Sequence, residues 1–470
     1  MPASFSNEIN VNVCKSDTCQ NLARVNSPDY QSPTYHLGFP ALHCNACGSN
    51  NYLLSNADLK LLVLPELAKF YHRVKGVCPH CFHADKVLNG KTAKGMLRWK
   101  CKQCQHTFSL NQPYLNQITK LKQLADLLFE SCDFKTLANK LAVSDTTFYR
   151  LLEQLALLVT DISQHQYLKR SVKAPLHIAT HSFQLNCKNR VQPSNTAQLW
   201  GLTSNDSLTG YVLLNTLNYT QQPIEQASFY RHQSQSAEHT PKTEQLLDKI
   251  KQRYHIFYQR PCFDQLVYTN SDVICKKGYL FQPVMAAHSH FLQLKHYYSN
   301  ITYYHYLEHE VLIRGACITS FGDLVHQGNC HIFYLTESHP SDKQTDWQLK
   351  ARYYLGWWKN LWFEFTSTDN NYAKALAVLT NKHKLNESLL GQLPATFKQH
   401  HHFHACFTQH FPAKRLAALQ PETIQTLLTI FTPYFNYCLT DDDKKTPAQR
   451  SGLATKRYRL SELIEQFLQD

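Results

Sequence analysis

The sequence contains no apolar run near the ~18 residues that a membrane-spanning helix requires, so an integral membrane helix is not expected. It opens Met1-Pro2-Ala3-Ser4, without the charged and apolar segments of a signal peptide, so export is not expected either. Acidic charge is the scarcer sign: 35 Asp and Glu stand against 48 Lys and Arg, a formal net charge of +13. That excess favours a polyanionic partner, most simply nucleic acid, although an anionic membrane surface would satisfy the same charge. A disulfide scaffold is also missing. Of the 16 cysteines, half fall in the first 104 residues in paired spacings, and the rest are scattered singly from Cys132 to Cys438. Metal-type pairs beside lone thiols point to a reducing compartment, hence the cytoplasm. Apolar material is not lacking. With 43% hydrophobic and 12% aromatic residues over 470 positions, the chain can bury cores for about three domains and is not disordered.

The strongest motif is Cys78-Pro79-His80-Cys81 followed by Cys101-Lys102-Gln103-Cys104. Each Cys-x-x-Cys suits a tight turn that points two sulfurs at one centre, and two such turns complete a tetrahedral zinc site. Between them, Asn89-Gly90-Lys91 is a hairpin-turn signal and Leu97-Arg98-Trp99-Lys100 a short strand, which together predict a zinc ribbon. The ribbon is basic: Lys75, Lys86, Lys91, Lys94, Arg98, Lys100 and Lys102 face Asp85 alone. Lys91, Arg98 and Lys100 are candidate phosphate contacts, whose binding would weaken steeply with salt. A second, looser set lies upstream, with Cys14 and Cys19 paired to Cys44 and Cys47, and His36 and His43 as substitute ligands. Structural zinc is therefore the expected cofactor.

A helical segment follows, with Leu121, Leu124 and Leu128 at helical spacing. Asp133 is a good N-cap. Phe134, Leu137, Ala138 and Leu141 follow at i, i+3, i+4 and i+7, Ala142-Val143 makes a turn, and Ser144 caps a helix carrying Phe148, Leu151, Leu152 and Leu155. The pattern is a helix-turn-helix. Its second helix would present Asp145, Thr146, Thr147, Tyr149 and Arg150 outward, the positions that reach base edges in a major groove.

Beyond Leu158 the texture becomes strand-rich. A strand is expected at 176–185, then a hairpin over 199–217 broken by turn signals at Ser204-Asn205-Asp206 and Thr209-Gly210, a helix at 241–253, a strand at 265–269 and a buried strand at 331–335. The sum is a mixed α/β domain with a central sheet. The aromatic knot Tyr353-Tyr354-Leu355-Gly356-Trp357-Trp358 is expected in the core rather than as a base-stacking platform. His400, His401, His402 and His404 form a cluster for which a metal role is open, and they are expected rather on a solvated polar face that becomes cationic at low pH. A helix is expected from Glu422 to about Phe435.

The ribbon Cys78-Pro79-His80-Cys81 … Gly90-Lys91 … Arg98-Trp99-Lys100-Cys101-Lys102-Gln103-Cys104 with its helix-turn-helix resembles the InsA-type N-terminal part of bacterial insertion-element transposases. The ending Phe435-Asn436-Tyr437-Cys438 … Lys445-Thr446-Pro447-Ala448 … Gly452-Leu453-Ala454 resembles the C-terminal tail of many such transposases. The resemblance implies an RNase H-like core between the two ends, cutting and joining DNA with three carboxylates that hold divalent metals, usually magnesium. Here the first core strand, Leu176 to Phe183, contains no acid, and His181 stands where the first aspartate is expected. A neutral imidazole is a poor ligand for hard magnesium. Candidates for the remaining acids are Glu308, Glu310 and Asp272, then Asp264, Asp369 and Glu387, with Glu308 the best match to an acid at a strand end.

The expected fold class is α/β: small zinc-ribbon and helix-turn-helix modules beside an RNase H-like mixed sheet. The expected segments are a first zinc-binding segment at 1–60, the ribbon at 70–112, the helix-turn-helix at 115–160, the transposase-type core at 172–440 and a tail at 441–470. Double-stranded DNA is the expected partner, with a homo-oligomer left open. Two functions stand: a transposase-like protein that binds element ends with a degenerate core, and a zinc-ribbon transcription regulator or recombination accessory factor that never cut DNA. RNA binding is a weaker third reading.

Overall fold

The computed structural model describes residues 9–81, 83–93, 95–109, 114–130, 133–168, 175–189, 196–221, 245–260, 266, 278–298, 302–338, 346–368, 372–381 and 386–469. The chain forms two units, each discontinuous in sequence. One is built from 60–171 and 406–470, the other from 10–59 and 172–405.

A small antiparallel sheet comes first, with strands β1 (Tyr30–Thr34), β2 (Ala41–Cys44) and β3 (Asn50–Tyr52) in that order. The side chain of Asn12 ties the entering chain to it, donating to the carbonyl of Leu54 at 2.8 Å and accepting from its N–H at 2.9 Å. Helix α1 (Asn56–Lys75) follows. Ser55 Oγ accepts from the N–H of Asp58 at its start, and Leu59, Leu62, Val63, Leu67 and Phe70 are buried at helical spacing.

The second small sheet has antiparallel strands β4 (Lys86–Lys91), β5 (Leu97–Cys101) and β6 (Thr107–Ser109). The expected turn at Asn89-Gly90-Lys91 is instead the end of β4. Gly90 takes a left-handed φ of +76° beside a register shift between Leu88 and Lys91, and the chain reverses over 92–96, where Thr92 N donates to Met96 O at 2.7 Å. Lys94 lies outside the described residues.

Helices α2 (Ile118–Leu127), α3 (Phe134–Lys140) and α4 (Asp145–Leu168) come next. Asp133 caps α3, its carboxylate accepting from Thr136 N at 2.9 Å, and Ser144 Oγ accepts from Thr147 N at the start of α4. Leu121, Leu124, Leu137, Leu141, Phe148, Leu151, Leu152 and Leu155 are buried, so the apolar stripes face inward. Full burial of each Leu or Phe side chain contributes about 1.5–3 kcal/mol.

The large sheet begins with the meander β7 (Leu176–Lys188), β8 (Thr196–Asp206) and β9 (Val212–Leu217). Residues 204–206 complete β8, and the turn falls at 207–210, where Gly210 N donates to Asp206 O at 2.8 Å. The short strands β10 (Tyr219–Thr220) and β11 (Tyr279–Leu280) pair apart from this sheet. Helices α5 (Leu246–Gln259) and α6 (Pro283–Tyr297) precede β12 (Tyr303–Glu308), and α7 (Val311–Ser320) and α8 (Gly322–Gln327) connect it to β13 (Cys330–Glu337). Strands β14 (Trp347–Leu355), β15 (Asn360–Ser367) and β16 (Ala373–Val378) complete the sheet, whose order is β14-β15-β16-β13-β12-β7-β8-β9. β7 runs antiparallel to β8, and β8 to β9, whereas β7, β12 and β13 are parallel neighbours. Such central strands are buried on both faces. Tyr306, Leu307, Ile332, Phe333 and Tyr334 are accordingly all buried. The strand expected at 265–269 falls almost wholly outside the described residues.

Helices α9 (Glu387–Gln392) and α10 (Lys398–His410) follow, then α11 (Ala413–Leu416), α12 (Pro421–Cys438), α13 (Pro447–Arg450) and α14 (Leu460–Gln469). In the unit that contains α2 and α4, α12 packs along α4 and α14 against α2. Phe129 stacks on Tyr434 with ring centroids 3.6 Å apart, and Ser461 donates to Asp126 at 2.6 Å. Among the described residues, no helix is long and apolar enough to cross a membrane.

Candidate functional site

Both cysteine sets converge. In each of Cys14, Cys19, Cys44, Cys47 and Cys78, Cys81, Cys101, Cys104, the four sulfurs lie within 4.8 Å of one another. Cys14 to Cys47 is 3.6 Å and Cys19 to Cys44 3.8 Å. In the ribbon, Cys78 to Cys104 is 3.6 Å and Cys81 to Cys101 3.4 Å. Zn–S bonds of about 2.3 Å in a tetrahedron place sulfurs about 3.8 Å apart, so both sets could hold such an ion. His36 and His43 belong to neither set.

The backbone builds each corner. At Cys44, the N–H groups of Cys47 and Gly48 turn back to its carbonyl, at 3.3 and 2.8 Å, and Gly48 has a φ of +72°. At Cys101, Gln105 N donates to its carbonyl at 3.1 Å, with Gln105 at φ +60°. Further groups aim at the sulfurs. Asn21 N donates to Cys19 Sγ at 3.3 Å and Asn21 Nδ2 to Cys44 Sγ at 3.7 Å, while Ser49 Oγ lies 3.1 Å from Cys47 Sγ. Such donors favour thiolate over thiol and orient the ligands. Burial raises the Cys47 thiol, but Ser49 and the neighbouring sulfurs outweigh it and bring it to about 7. At Cys101, burial is likewise outweighed, chiefly by the backbone N–H of Cys104, and the thiol sits at about 7. Asn21 and Ser49 carried no motif in the sequence.

On β5, side chains alternate. Trp99 and Cys101 face the ribbon's small core with Phe108, so Arg98 and Lys100 take the other face, opposite Ser109 and Thr107. Lys91 and Arg98 are exposed and Lys100 half-buried. Across the short turn of α3 and α4, Asp145, Thr146, Tyr149 and Arg150 are exposed, while Thr147 is half-buried against its Ser144 cap. The ribbon and these helices lie in the same unit.

In the other unit, β7 and β12 bring His181 and Glu308 together. Glu308 ends β12, and its Oε2 lies 3.5 Å from His181 Nδ1. That oxygen accepts from Ser182 N at 2.8 Å and Ser182 Oγ at 2.5 Å, and Arg253 of α5 donates to Oε1 at 3.2 Å. Arg253 also reaches Glu310 at 3.1 Å, and Arg260 grips Glu310 with two bonds of 2.7 and 2.8 Å. Burial works to raise the Glu310 carboxyl, but Arg260 and Arg253 hold it below the usual range. Both carboxylates thus take their positive charge from arginine. Among the described residues, no carboxylate set joins the two cysteine tetrads as a cluster able to hold a metal. Asp264, Asp272 and Asp369 lie outside the described residues. Glu387 begins α9 and pairs with Arg352 of the edge strand β14.

The histidine run is not one solvated face. His400 is buried, its ring centroid 4.7 Å from that of His181 and 4.4 Å from that of His404, which is bonded to Thr203 Oγ1 at 2.9 Å. Burial pushes His404 down to about 3 and His400 well below its ordinary value. His401 is exposed, as expected. Helical spacing explains the split, since residues 400 and 404 share one face of α10.

No family model, curated protein or solved structure matches the chain.

Proposed function

We propose that the chain is a zinc-stabilised protein that binds duplex DNA, using the ribbon as a phosphate clamp and α3–α4 as a helix-turn-helix reader. More particularly, we read it as a transposase-like protein of the insertion-element type, recognising element ends, with an RNase H-like core whose catalysis is impaired. The observation that carries the reading is the strand arrangement around β7: an antiparallel meander β7-β8-β9, then two parallel strands, β12 and β13, reached through helices. It supports an RNase H-like core with β7 as first strand, and in this reading Glu308 is the second acid beside His181.

Impaired catalysis follows from charge. A two-metal site needs several anionic oxygens around the ions. In this reading His181 supplies none, and Glu308 is committed to Arg253 and Ser182. Magnesium would belong only to an active form. The same arginine network favours the second reading, a zinc-ribbon regulator or accessory factor that only binds. Thiols outside any disulfide, such as Cys317 and Cys330, suit a cytoplasmic setting in either case.

The test has two arms. Atomic absorption should find two zinc ions per wild-type chain, one per tetrad, and one in Cys78→Ser. Electrophoretic shift should show that Arg150→Ala weakens a specific duplex more than a random one, and that Lys91→Ala weakens both alike. Unchanged zinc in Cys78→Ser, or equal losses from Arg150→Ala on both duplexes, would sink the reading. Magnesium-dependent nicking by the wild-type protein would overturn impaired catalysis alone.

A further inference from the structure

The aromatic knot is only partly core. Trp362 is fully buried, but Tyr354 is 72% exposed and Trp357 70% exposed. They sit at the end of the β14–β15 hairpin, whose strands pair from Ala351 opposite Glu364 to Leu355 opposite Asn360, beyond a register shift at Leu349 to Ala351, and close through a four-residue loop at 356–359. Single exposed aromatics need no explanation. Two of them, three residues apart on one hairpin, differ because of how firmly the tip beneath them is held.

Three contacts fix it. Gly356 has a φ of +80°, and a Cβ there would lie 2.1 Å from the ring of Tyr254 on α5, so only glycine lets the loop close onto that ring. The hydroxyl of Tyr254 accepts from Asn360 Nδ2 at 3.0 Å and Trp362 Nε1 at 3.1 Å, at the base of the loop. Trp358, next to the bare Trp357, lies under the buried guanidinium of Arg314 at 4.9 Å, and Arg314 in turn donates to the carbonyl of Lys15 at 2.8 Å. The tip is therefore a braced loop that displays an indole to solvent.

The approach to the tip is basic. Arg352 and Tyr354 are exposed at alternate positions of β14, about 6.6–7 Å apart along the strand, and Lys359 is exposed in the loop. Lys350 is exposed as well, but a register shift between Leu349 and Ala351 takes it out of that row and onto Glu364. Lys350 pairs with Glu364 and Arg352 with Glu387, and both basic side chains remain more than half exposed. The exposed Arg352–Glu387 pair is weak and exchanges readily for another anion, whereas Lys350 is held by the buried Glu364, which also accepts from Tyr353. Lys and Arg on a sheet edge also deter strand addition, and β14 is an edge strand. That role explains the cations but not two bare aromatics beside them. Cations beside exposed rings match the chemistry that holds unpaired nucleotides, with phosphates on Arg352 and Lys359 and base faces on the rings.

We infer that the β14–β15 hairpin is a binding site for unpaired DNA, with Trp357 and Tyr354 stacking on bases and Arg352 and Lys359 holding the adjoining phosphates. This surface is separate in sequence from the ribbon and α3–α4, so it extends the DNA-binding reading without sharing its residues.

Fluorescence anisotropy of the full-length protein with a fluorescein-labelled oligothymidylate of about 12 residues tests it. Trp357→Ala should weaken binding by about 5- to 150-fold, Tyr354→Ala similarly, and Trp357→Phe by much less. Thermal melting should be unmoved, because the indole is exposed. 2-Aminopurine placed in the strand should be quenched by wild type and released from quenching in Trp357→Ala. Binding of a blunt duplex should be the same in all three variants. Equal strand affinity of wild type and Trp357→Ala would overturn the inference, as would preference for an RNA strand of the same length. A dimer that dissociates in Trp357→Ala with no change in strand affinity would also overturn it and mark the hairpin as a self-association surface. Loss of duplex binding in Cys104→Ser with strand binding retained would separate this site from the ribbon.

Discussion

At the scale of single residues, arginine decides what the carboxylates can do. Arg253 and Arg260 surround Glu308 and Glu310, and a carboxylate that already accepts from an arginine and a backbone N–H has little left for a metal ion. Arg73 does structural work of the same kind in the other unit. It lies 2.7 Å from Asp161 Oδ2, which also accepts from the buried hydroxyl of Tyr114 at 2.9 Å. Burial raises the Asp161 carboxyl and Arg73 opposes that shift, so removing the guanidinium leaves a buried acid uncompensated. Arg73→Ala should therefore destabilise that unit by about 3–5 kcal/mol in urea unfolding, and a change below about 1 kcal/mol would show that the pair contributes nothing.

At the scale of elements, the turn between α3 and α4 carries a removable strain. Ala142 is exposed and has a φ of +50°, a left-handed conformation that disfavours any residue with a Cβ. Ala142→Gly should raise stability by about 0.5–1 kcal/mol, read as a higher melting temperature, with zinc content unchanged. This turn was legible in the sequence because its signals are local: Asp133 and Ser144 as caps, and apolar residues at helical spacing between them. The convergence of the cysteine pairs was legible for the same reason, since a Cys-x-x-Cys corner is set by its own backbone. Elements decided by distant neighbours were not. Pro65 masks α1, whose apolar stripe buries all the same. His400 reads as polar until α10 brings it to His181. Trp357 reads as core in an aromatic run with Trp358 and the buried Trp362, and only the braced loop reveals that it points out. Arg253 and Arg260 carried no motif, because ion pairs across 50 or more positions leave no pattern in the chain.

At the scale of the whole molecule, buried imidazoles govern acid stability. His288, His290, His305, His309 and His400 are all buried, and burial pushes each well below its ordinary value, to about 3 for the first three. In the unfolded chain the same groups take up protons below about pH 6.5. The unfolded state then binds more protons than the folded one, so stability is full above that pH and falls as pH drops towards 3. Each such group contributes about 1.4 kcal/mol per pH unit in that window. Urea midpoints should decline steeply from pH 6.5 to 5, with a slope of several protons, and a flat profile would mean that these side chains are solvated. The interleaving of the two units has a different consequence. The bundle around α2 and α4 is finished by α12 and α14, through Phe129 on Tyr434 and Asp126 on Ser461. Those helices are synthesised after both α2 and α4. A nascent chain therefore carries α2 and α4 long before it can bury their backs, and a copy terminated before α12 would display bare leucines to chaperones and proteases.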